Sequence, residues 1–268
     1  MSTGAPVSPV KQPGAQAIDK DPRRIAGMFD AIARRYDLLN HLLSAGFDFY
    51  WRRVAVASLD LRDGARVLDV CTGTADLAMS LSRCRPAPSF VLGLDFSGGM
   101  LLLGQRKLRL AGLDRVIHLV RGDACQLPCP SGAFDAVTIG FGIRNVSETA
   151  QAVGEICRVL KPGGQLAILE FGEPNLPVLR SIYLWYFRRI LPLFGRLLSK
   201  HREAYAYLPA SVGAFLSPGA LSALLRDSGF SEVSVVRLTC GVVYLHVCRK
   251  DTGSFAGVGR VSGEPAVY

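Results

Sequence analysis

Histidine is scarce in this chain of 268 residues. The four copies, His41, His118, His201 and His246, are scattered. Cysteine is not scarce, but its seven copies form no Cys-x-x-Cys pair and their number is odd. Cys125 and Cys129 have no second pair to complete a metal site, so a structural zinc is not expected. Free thiols in a reducing compartment are expected instead of a disulfide framework. No uninterrupted apolar run reaches the length of a membrane span, and the N-terminus lacks a basic segment followed by an apolar one. A cytoplasmic protein is therefore expected. No internal repeat is present, and no RNA-binding module or aromatic platform within a basic groove stands out. Nucleic acid is not an expected partner, although the net charge of +9 invites anionic ones. A basic surface without a specific ligand accounts for that charge equally well.

What is present is enough for a sizeable core: 49% of residues are hydrophobic and 20% charged, which suits one globular domain with additions. Residues 1–22, with Pro6, Pro9 and Pro13, read as a flexible tail, and so do residues 251–268, rich in Gly and Ser. Between them, residues 23–250 form the expected domain. Ile25, Met28, Phe29, Ile32 and Ala33 recur at helical spacing, and Phe47–Val56 is helical again, so 23–60 is expected to be a helical lid. Short apolar runs follow at Arg66–Val70, Phe90–Asp95, Val116–Val120, Phe134–Ile139 and Gln165–Phe171, with helical patterns between most of them. That alternation predicts βαβ units and an α/β fold, a parallel sheet with helices on both faces. Val233–Leu238 and Val242–Cys248 would add an antiparallel hairpin at one edge, giving a mostly parallel sheet of seven strands. Residues 172–216 interrupt the rhythm. Their aromatic and basic stretch Leu179–Arg202 would cover a greasy substrate or lie at an anionic membrane surface, or it is simply a helical cover.

Three turns carry the chemistry. Asp69-Val70-Cys71-Thr72-Gly73-Thr74-Ala75-Asp76 leaves the first strand through small residues, which lets a ligand approach the backbone. Only Gly73 is glycine there, so the G-x-G-x-x-G cradle for a pyrophosphate is missing, which speaks against a nicotinamide dinucleotide. A ligand without phosphates, such as S-adenosylmethionine, fits better, and an ordinary βα turn fits as well. Asp95 stands 22 positions after Gly73 at the end of the second strand, where a carboxylate can accept both ribose hydroxyls or cap a helix. Gly122-Asp123-Ala124, after the third strand, can offer the Asp123 carboxylate and the Ala124 N–H to an adenine ring. Thr74 beside Gly73, Phe96 beside Asp95, and Gly140 at the end of the fourth strand complete the candidate cofactor set.

Taken in order, the elements Asp69 to Asp76, Gly93-Leu94-Asp95, Gly122-Asp123-Ala124, Phe134 to Thr138 and Arg158 to Gly164 resemble a class I, Rossmann-like methyltransferase that uses S-adenosylmethionine. More narrowly, Tyr36-Asp37-Leu38-Leu39-Asn40, Leu43-Ser44 with Trp51-Arg52, Phe141-Gly142-Ile143-Arg144-Asn145-Val146, Glu170-Phe171, Tyr207-Leu208-Pro209 and Thr239 to His246 resemble the UbiE/MenG (COQ5-like) C-methyltransferases of quinone biosynthesis, of the demethylmenaquinone methyltransferase type. The match runs from about residue 25 to 250. It departs from the family at Asp48, where His is usual, at Gly140, where Ser or Asn is common, and at Ala75, where a second glycine is usual.

The resemblance implies methylation of a ring carbon of a prenylated hydroquinone, a demethylmenaquinol or a benzoquinol of the ubiquinone route. Arg144 would then stabilise the developing phenolate, Asn145 would orient the hydroxyl or a water, and Asp76 would be the general base. Tyr36, Asp37, Asn40 and Tyr207 would meet the substrate. Plainer roles stand beside these: an ion pair of Arg144 with Asp135 or another carboxylate, a helix-start charge for Asp76, and packing or capping for the lid residues. A homodimer and a peripheral membrane contact stay open as partners. The competing functions are methylation of another small molecule or of RNA, and a binding protein that holds the cofactor without catalysis.

Overall fold

The computed structural model describes residues 20–172, 174, 181 and 202–252. Most of the aromatic and basic stretch Leu179–Arg202 and most of the two expected tails lie outside the described residues. Helix α1 spans Pro22–Leu43 as one piece within the expected helical segment. Its start follows from local chemistry: Asp21 accepts from the Arg23 and Arg24 N–H groups, and Pro22 fills the first turn without needing a donor. After Ala45 and Gly46, both at positive φ, helix α2 covers Phe47–Ala57.

The βαβ succession then runs β1 (Arg66–Val70), α3 (Asp76–Leu81), β2 (Phe90–Asp95), α4 (Gly98–Ala111), β3 (Ile117–Arg121), β4 (Phe134–Gly140), a 3-10 turn at Ile143–Asn145, α5 (Thr149–Val159) and β5 (Leu160–Phe171). Ser97 caps α4 by accepting from the Met100 N–H, and Gly112 ends it at φ +66. Helices α6 (Arg202–Ala214) and α7 (Pro218–Asp227) precede β6 (Phe230–Leu238) and β7 (Val243–Lys250).

The seven strands lie in the order β3-β2-β1-β4-β5-β7-β6. The pairs from β3 through β5 are parallel, and β7 runs antiparallel to both β5 and β6. The expected hairpin is present, with one refinement: the last strand enters between β5 and β6, so β6 and not β7 is the edge. The burial pattern agrees, since Val235 and Val236 of β6 are exposed whereas Val243 and Leu245 of β7 are buried.

Alternation along the strands builds one core on each face of the sheet. Leu68 and Val70 of β1 join Leu166 and Ile168 of β5 against Ala152, Val153 and Ile156 of α5 and Leu221 and Leu225 of α7. On the opposite face, Val67 of β1 and Ala167 and Leu169 of β5 pack with Trp51, Ala55 and Val56 of α2 and with Leu77 and Leu81 of α3. Because central strands are covered on both faces, nearly every residue in them must be apolar. Asp69 is the exception inside β1, and it is 1% exposed. The chain winds outward from β1 in one direction and from β4 in the other. Their carboxyl ends therefore border the crevice where open α/β sheets hold ligands.

Candidate active site

Two adjoining chambers open at that crevice. One, with a cavity volume of about 100 Å³, is lined by Asp95, Phe96, Gly122, Asp123 and Ala124 on the β2 and β3 side and by Asn145 of the 3-10 turn. The other is larger, about 270 Å³, and its walls are mostly apolar: Met28, Ile32, Trp51, Leu77, Phe171 and Leu208 contribute. Phe29, Tyr36, Cys71, Gly73, Gly140 and Phe141 line both, and form the partition between them.

The β1–α3 loop supports the first chamber. Gly73 sits at φ +56, with nothing within 4 Å of where a Cβ would stand, so the space before this turn is open to a ligand. Its N–H donates to one Asp95 carboxylate oxygen at 2.8 Å, and the Ser97 N–H donates to the other at 2.9 Å. Burial pushes the Asp95 carboxyl above its ordinary range, against the pull of these backbone donors. Asp69 is deeper. Thr138 and Thr72 hydroxyls donate to its two oxygens, each at 2.6 Å, yet burial pushes its pKa up to about 6. Asp123 accepts from the Cys125 N–H at 2.8 Å. Ala124 is buried beside it.

These residues fit S-adenosylmethionine. Two carboxylates held above their ordinary pKa, Asp69 buried and Asp95 half-buried, suit a ligand that brings hydroxyl donors to one and positive charge near the other. Gly140 fits the same picture: a Cβ there would come within 3.1 Å of Leu77 Cδ2, so the absent side chain keeps the partition thin.

Arg144 is buried and borders the larger chamber. Its Nη1 donates to Glu170 at 2.6 Å and to the Phe141 carbonyl, and its Nε donates to the Ser211 hydroxyl at 3.4 Å. The ion-pair partner is thus Glu170 of β5. Asp135 is instead taken by Lys161 at 2.6 Å and by the Arg66 N–H. The Arg144 guanidinium also lies 5.4 Å from the centre of the Phe171 ring. Phe171, Phe141 and Trp51 form an aromatic cluster, with centroids 4.6 Å apart for Phe141–Phe171 and 5.9 and 6.1 Å for the two pairs with Trp51. Trp51 Nε1–H donates to Thr239 Oγ1 at 2.7 Å, which ties α2 to the turn between β6 and β7. Periodicity could not assemble this trio, whose members come from α2 and the ends of β4 and β5.

Asn145 borders the first chamber, while Tyr207 of α6 lines the second. The Tyr207 hydroxyl donates to Asn145 Oδ1 at 3.1 Å, so this one bond spans both. Tyr36 is hydrogen-bonded to Asn40, and burial pushes its phenol up. Asn40 and Thr74 both line the larger chamber.

Two expected site residues are otherwise engaged. Asp37 does not line either chamber. It pairs with Lys107 at 2.7 Å and accepts from the Thr74 hydroxyl, so its contact is with the cofactor loop rather than with a substrate. Asp76 does line the larger chamber but is held by Lys107 and by Arg52, the latter at 3.4 Å. Arg52 also grips Asp48, four positions before it on α2, while the links to Asp76 and onward to Lys107 and Asp37 join different helices and left no local sign in the sequence.

Comparison with known proteins agrees with this architecture. A family model described as the ubiE/COQ5 methyltransferase family matches residues 17–250. A demethylmenaquinone methyltransferase from Thermus thermophilus is 47% identical over 82% of this chain and 98% of its own. A ubiquinone/menaquinone biosynthesis C-methyltransferase from Geobacter sp. is 42% identical over 87% of this chain and 99% of its own. Among solved structures, a SAM-dependent methyltransferase from Thermotoga maritima superposes with a TM-score of 0.60, covering 85% of this chain and 100% of that one. Its sequence is 19% identical, so that likeness is one of fold. The family match takes in both chambers and all seven strands, and on it the chain belongs to the ubiE/COQ5 family of S-adenosylmethionine-dependent methyltransferases.

Proposed function

We propose that this protein methylates a ring carbon of demethylmenaquinol, with the cofactor in the smaller chamber and the quinol ring in the larger one. The observation that carries the reading is the thin shared partition. Gly73, Gly140 and Phe141 border both chambers, so a methyl group at the boundary meets a ring held among Trp51, Phe141 and Phe171. The name of the relative from Thermus thermophilus favours a naphthoquinol over a benzoquinol.

S-adenosylmethionine supplies an electrophilic methyl on a positively charged sulfur. The chain's own residues do the rest. Asp95 receives the ribose hydroxyls, and the Asp123 and Ala124 turn meets the adenine. The aromatic cluster holds the quinol ring so that its carbon lies in line with the methyl, at roughly 3–3.5 Å. A phenolic hydroxyl with pKa near ~10 must release its proton for the ring carbon to become nucleophilic. Arg144 carries the charge that favours the phenolate, and Glu170 fixes its orientation. Tyr207 and Asn145 link the two chambers and position the reacting groups relative to each other.

A prenylated substrate resides in lipid, and we place the protein at the cytoplasmic membrane surface as a peripheral visitor. No single helix among the described residues is long and apolar enough to cross a membrane. What supports a surface contact is the elbow between α1 and α2, where Leu38, Leu42, Phe47, Phe49 and Tyr50 are exposed and Leu43 and Phe47 border the larger chamber. Incubation with labelled S-adenosylmethionine and short-chain demethylmenaquinol tests the reaction. A labelled menaquinol is the expected product, and its absence with intact cofactor binding would refute the assignment. Flotation with anionic liposomes at low salt tests the membrane contact.

A further inference from the structure

Methylation of a ring carbon leaves one proton over. The carbon–carbon bond forms as the methyl–sulfur bond breaks, and the quinol hydroxyl loses its proton to drive that step. The ring C–H proton then moves to oxygen, which restores both the aromatic ring and the hydroxyl. A mostly apolar chamber needs an outlet for the proton released first, and a polar path leads from its wall to solvent.

Asp48 lines the larger chamber, with a side chain 5% exposed. Its Oδ1 accepts from the Ser44 hydroxyl at 2.7 Å. Its Oδ2 lies 2.7 Å from His41 Nδ1 and also receives Arg52. His41 stands outside the chamber lining and is 28% exposed, stacked on Phe49 with centroids 4.4 Å apart. A carboxylate in the first turn of α2 is accounted for by the helix dipole. That does not account for its burial in a cavity wall, nor for a histidine bound to its far side and reaching solvent.

Resting on the quinol methylation above, we propose that Asp48 and His41 form a proton relay out of the larger chamber. In the step, the quinol O–H bond breaks and its proton passes through the Asp48 carboxylate to Nδ1 of His41. The imidazole takes it in the tautomer that carries hydrogen on Nε2, which the half-exposed ring reaches by exchange with water. His41 becomes the imidazolium, and its Nε2 proton goes to water. That leaves hydrogen on Nδ1, and exchange with water returns it to Nε2, so the relay regains its starting tautomer with one proton released per methyl transferred.

Charge balance around the pair suits such a step. Ser44 of the α1 segment and Arg52 of α2 touch the pair directly, and Asp76 of α3 joins through Arg52, Lys107 of α4 through Asp76, and Asp37 of α1 through Lys107. Three carboxylates thus meet two cations, and a proton on His41 closes the difference. Burial by itself would raise Asp48, but the Ser44 hydrogen bond and the Arg52 charge outweigh it and hold the carboxyl below its ordinary value. A carboxylate of this kind passes a proton on rather than keeping it.

The test is single-turnover methylation of short-chain demethylmenaquinol from about pH 5.5 to about pH 9, which brackets the titration of an imidazole. Wild type, His41→Ala, His41→Gln and Asp48→Asn are compared, with cofactor binding and thermal melting measured on each. The wild-type rate is expected to rise along one acid limb, because only neutral His41 accepts a proton. Both His41 variants should lose that limb and fall roughly 10²-fold at neutral pH, with the cofactor Kd unchanged. Added imidazole should restore His41→Ala, whose vacated place beside Phe49 is open to solvent, and should leave Asp48→Asn slow. Either His41 variant running within about twofold of wild type at every pH overturns the relay, since a working relay is worth far more than that. So does a folded, cofactor-binding His41→Ala that imidazole does not restore. If wild type itself binds cofactor but methylates no quinol, the functional assignment fails and takes the relay with it, which separates the two failures.

Discussion

Replacing Asp69 by asparagine removes a charge that the fold holds at a cost. In the folded protein its pKa is about 6, whereas an unfolded aspartate titrates near ~3.9. Between those values the folded state binds the proton and the unfolded state does not, so stability falls as pH rises through this window. Above it the cost is level at about 3 kcal/mol, taking ~1.36 kcal/mol per pKa unit. At about pH 5 roughly half of that is in force by the same linkage. Asparagine keeps the shape. One Thr hydroxyl, of Thr72 or Thr138, must turn from donor to acceptor, and the loss of two charge-assisted hydrogen bonds takes back about 1 kcal/mol or somewhat more. The variant should therefore be more stable than wild type by about 1–2 kcal/mol at about pH 8, with the advantage shrinking to near zero at about pH 5. Urea unfolding at the two pH values measures both numbers. The reasoning also fixes what happens on ligand binding. Asp69 borders the larger chamber, so a sulfonium at the boundary between the chambers offsets part of that cost in wild type and finds nothing to offset in the variant, and Asp69→Asn should bind S-adenosylmethionine more weakly. A variant less stable than wild type at the higher pH, or one whose stability difference is independent of pH, refutes the account.

Removing Glu170 with Glu170→Ala leaves Arg144 charged and buried, and should lower stability by about 3–5 kcal/mol in urea unfolding; Glu170→Gln should lose less and show its defect in kcat. Asp95→Ala deletes the acceptor for two hydroxyls at ~1.5 kcal/mol each or more, so calorimetry should find S-adenosylmethionine binding weakened roughly 100-fold. His246 is 1% exposed, donates from Nε2 to the Pro218 carbonyl at 3.0 Å and leaves Nδ1 without a partner. Burial lowers its pKa, so the unfolded state takes up a proton first, and stability present above about pH 6.5 is lost as pH falls. His246→Gln should flatten that part of the stability profile in thermal melts at graded pH.

The outer features of this protein were written in local sequence. Short apolar runs named the strands, the helical spacing of Ile25, Met28, Phe29, Ile32 and Ala33 named the first helix, and the Gly73 turn with Asp95 located the cofactor end of the sheet. Most of these signals depend on neighbours within about one turn or one strand. The place of β7 was not legible, because sequence adjacency to β6 says nothing of insertion beside β5. Nor was the use of Arg144, whose partner Glu170 lies 26 positions away and is reached only because β4 and β5 pair. The pairing of Asp37 and Asp76 with Lys107 and of Asp76 with Arg52 forms only once four helices converge, and Asp48 gains His41 only through the turn between α1 and α2. Short-range forces select elements from neighbouring residues. Charge pairing and cavity walls are decided by distance in space, which the order of residues does not contain until the sheet and its helices are assembled.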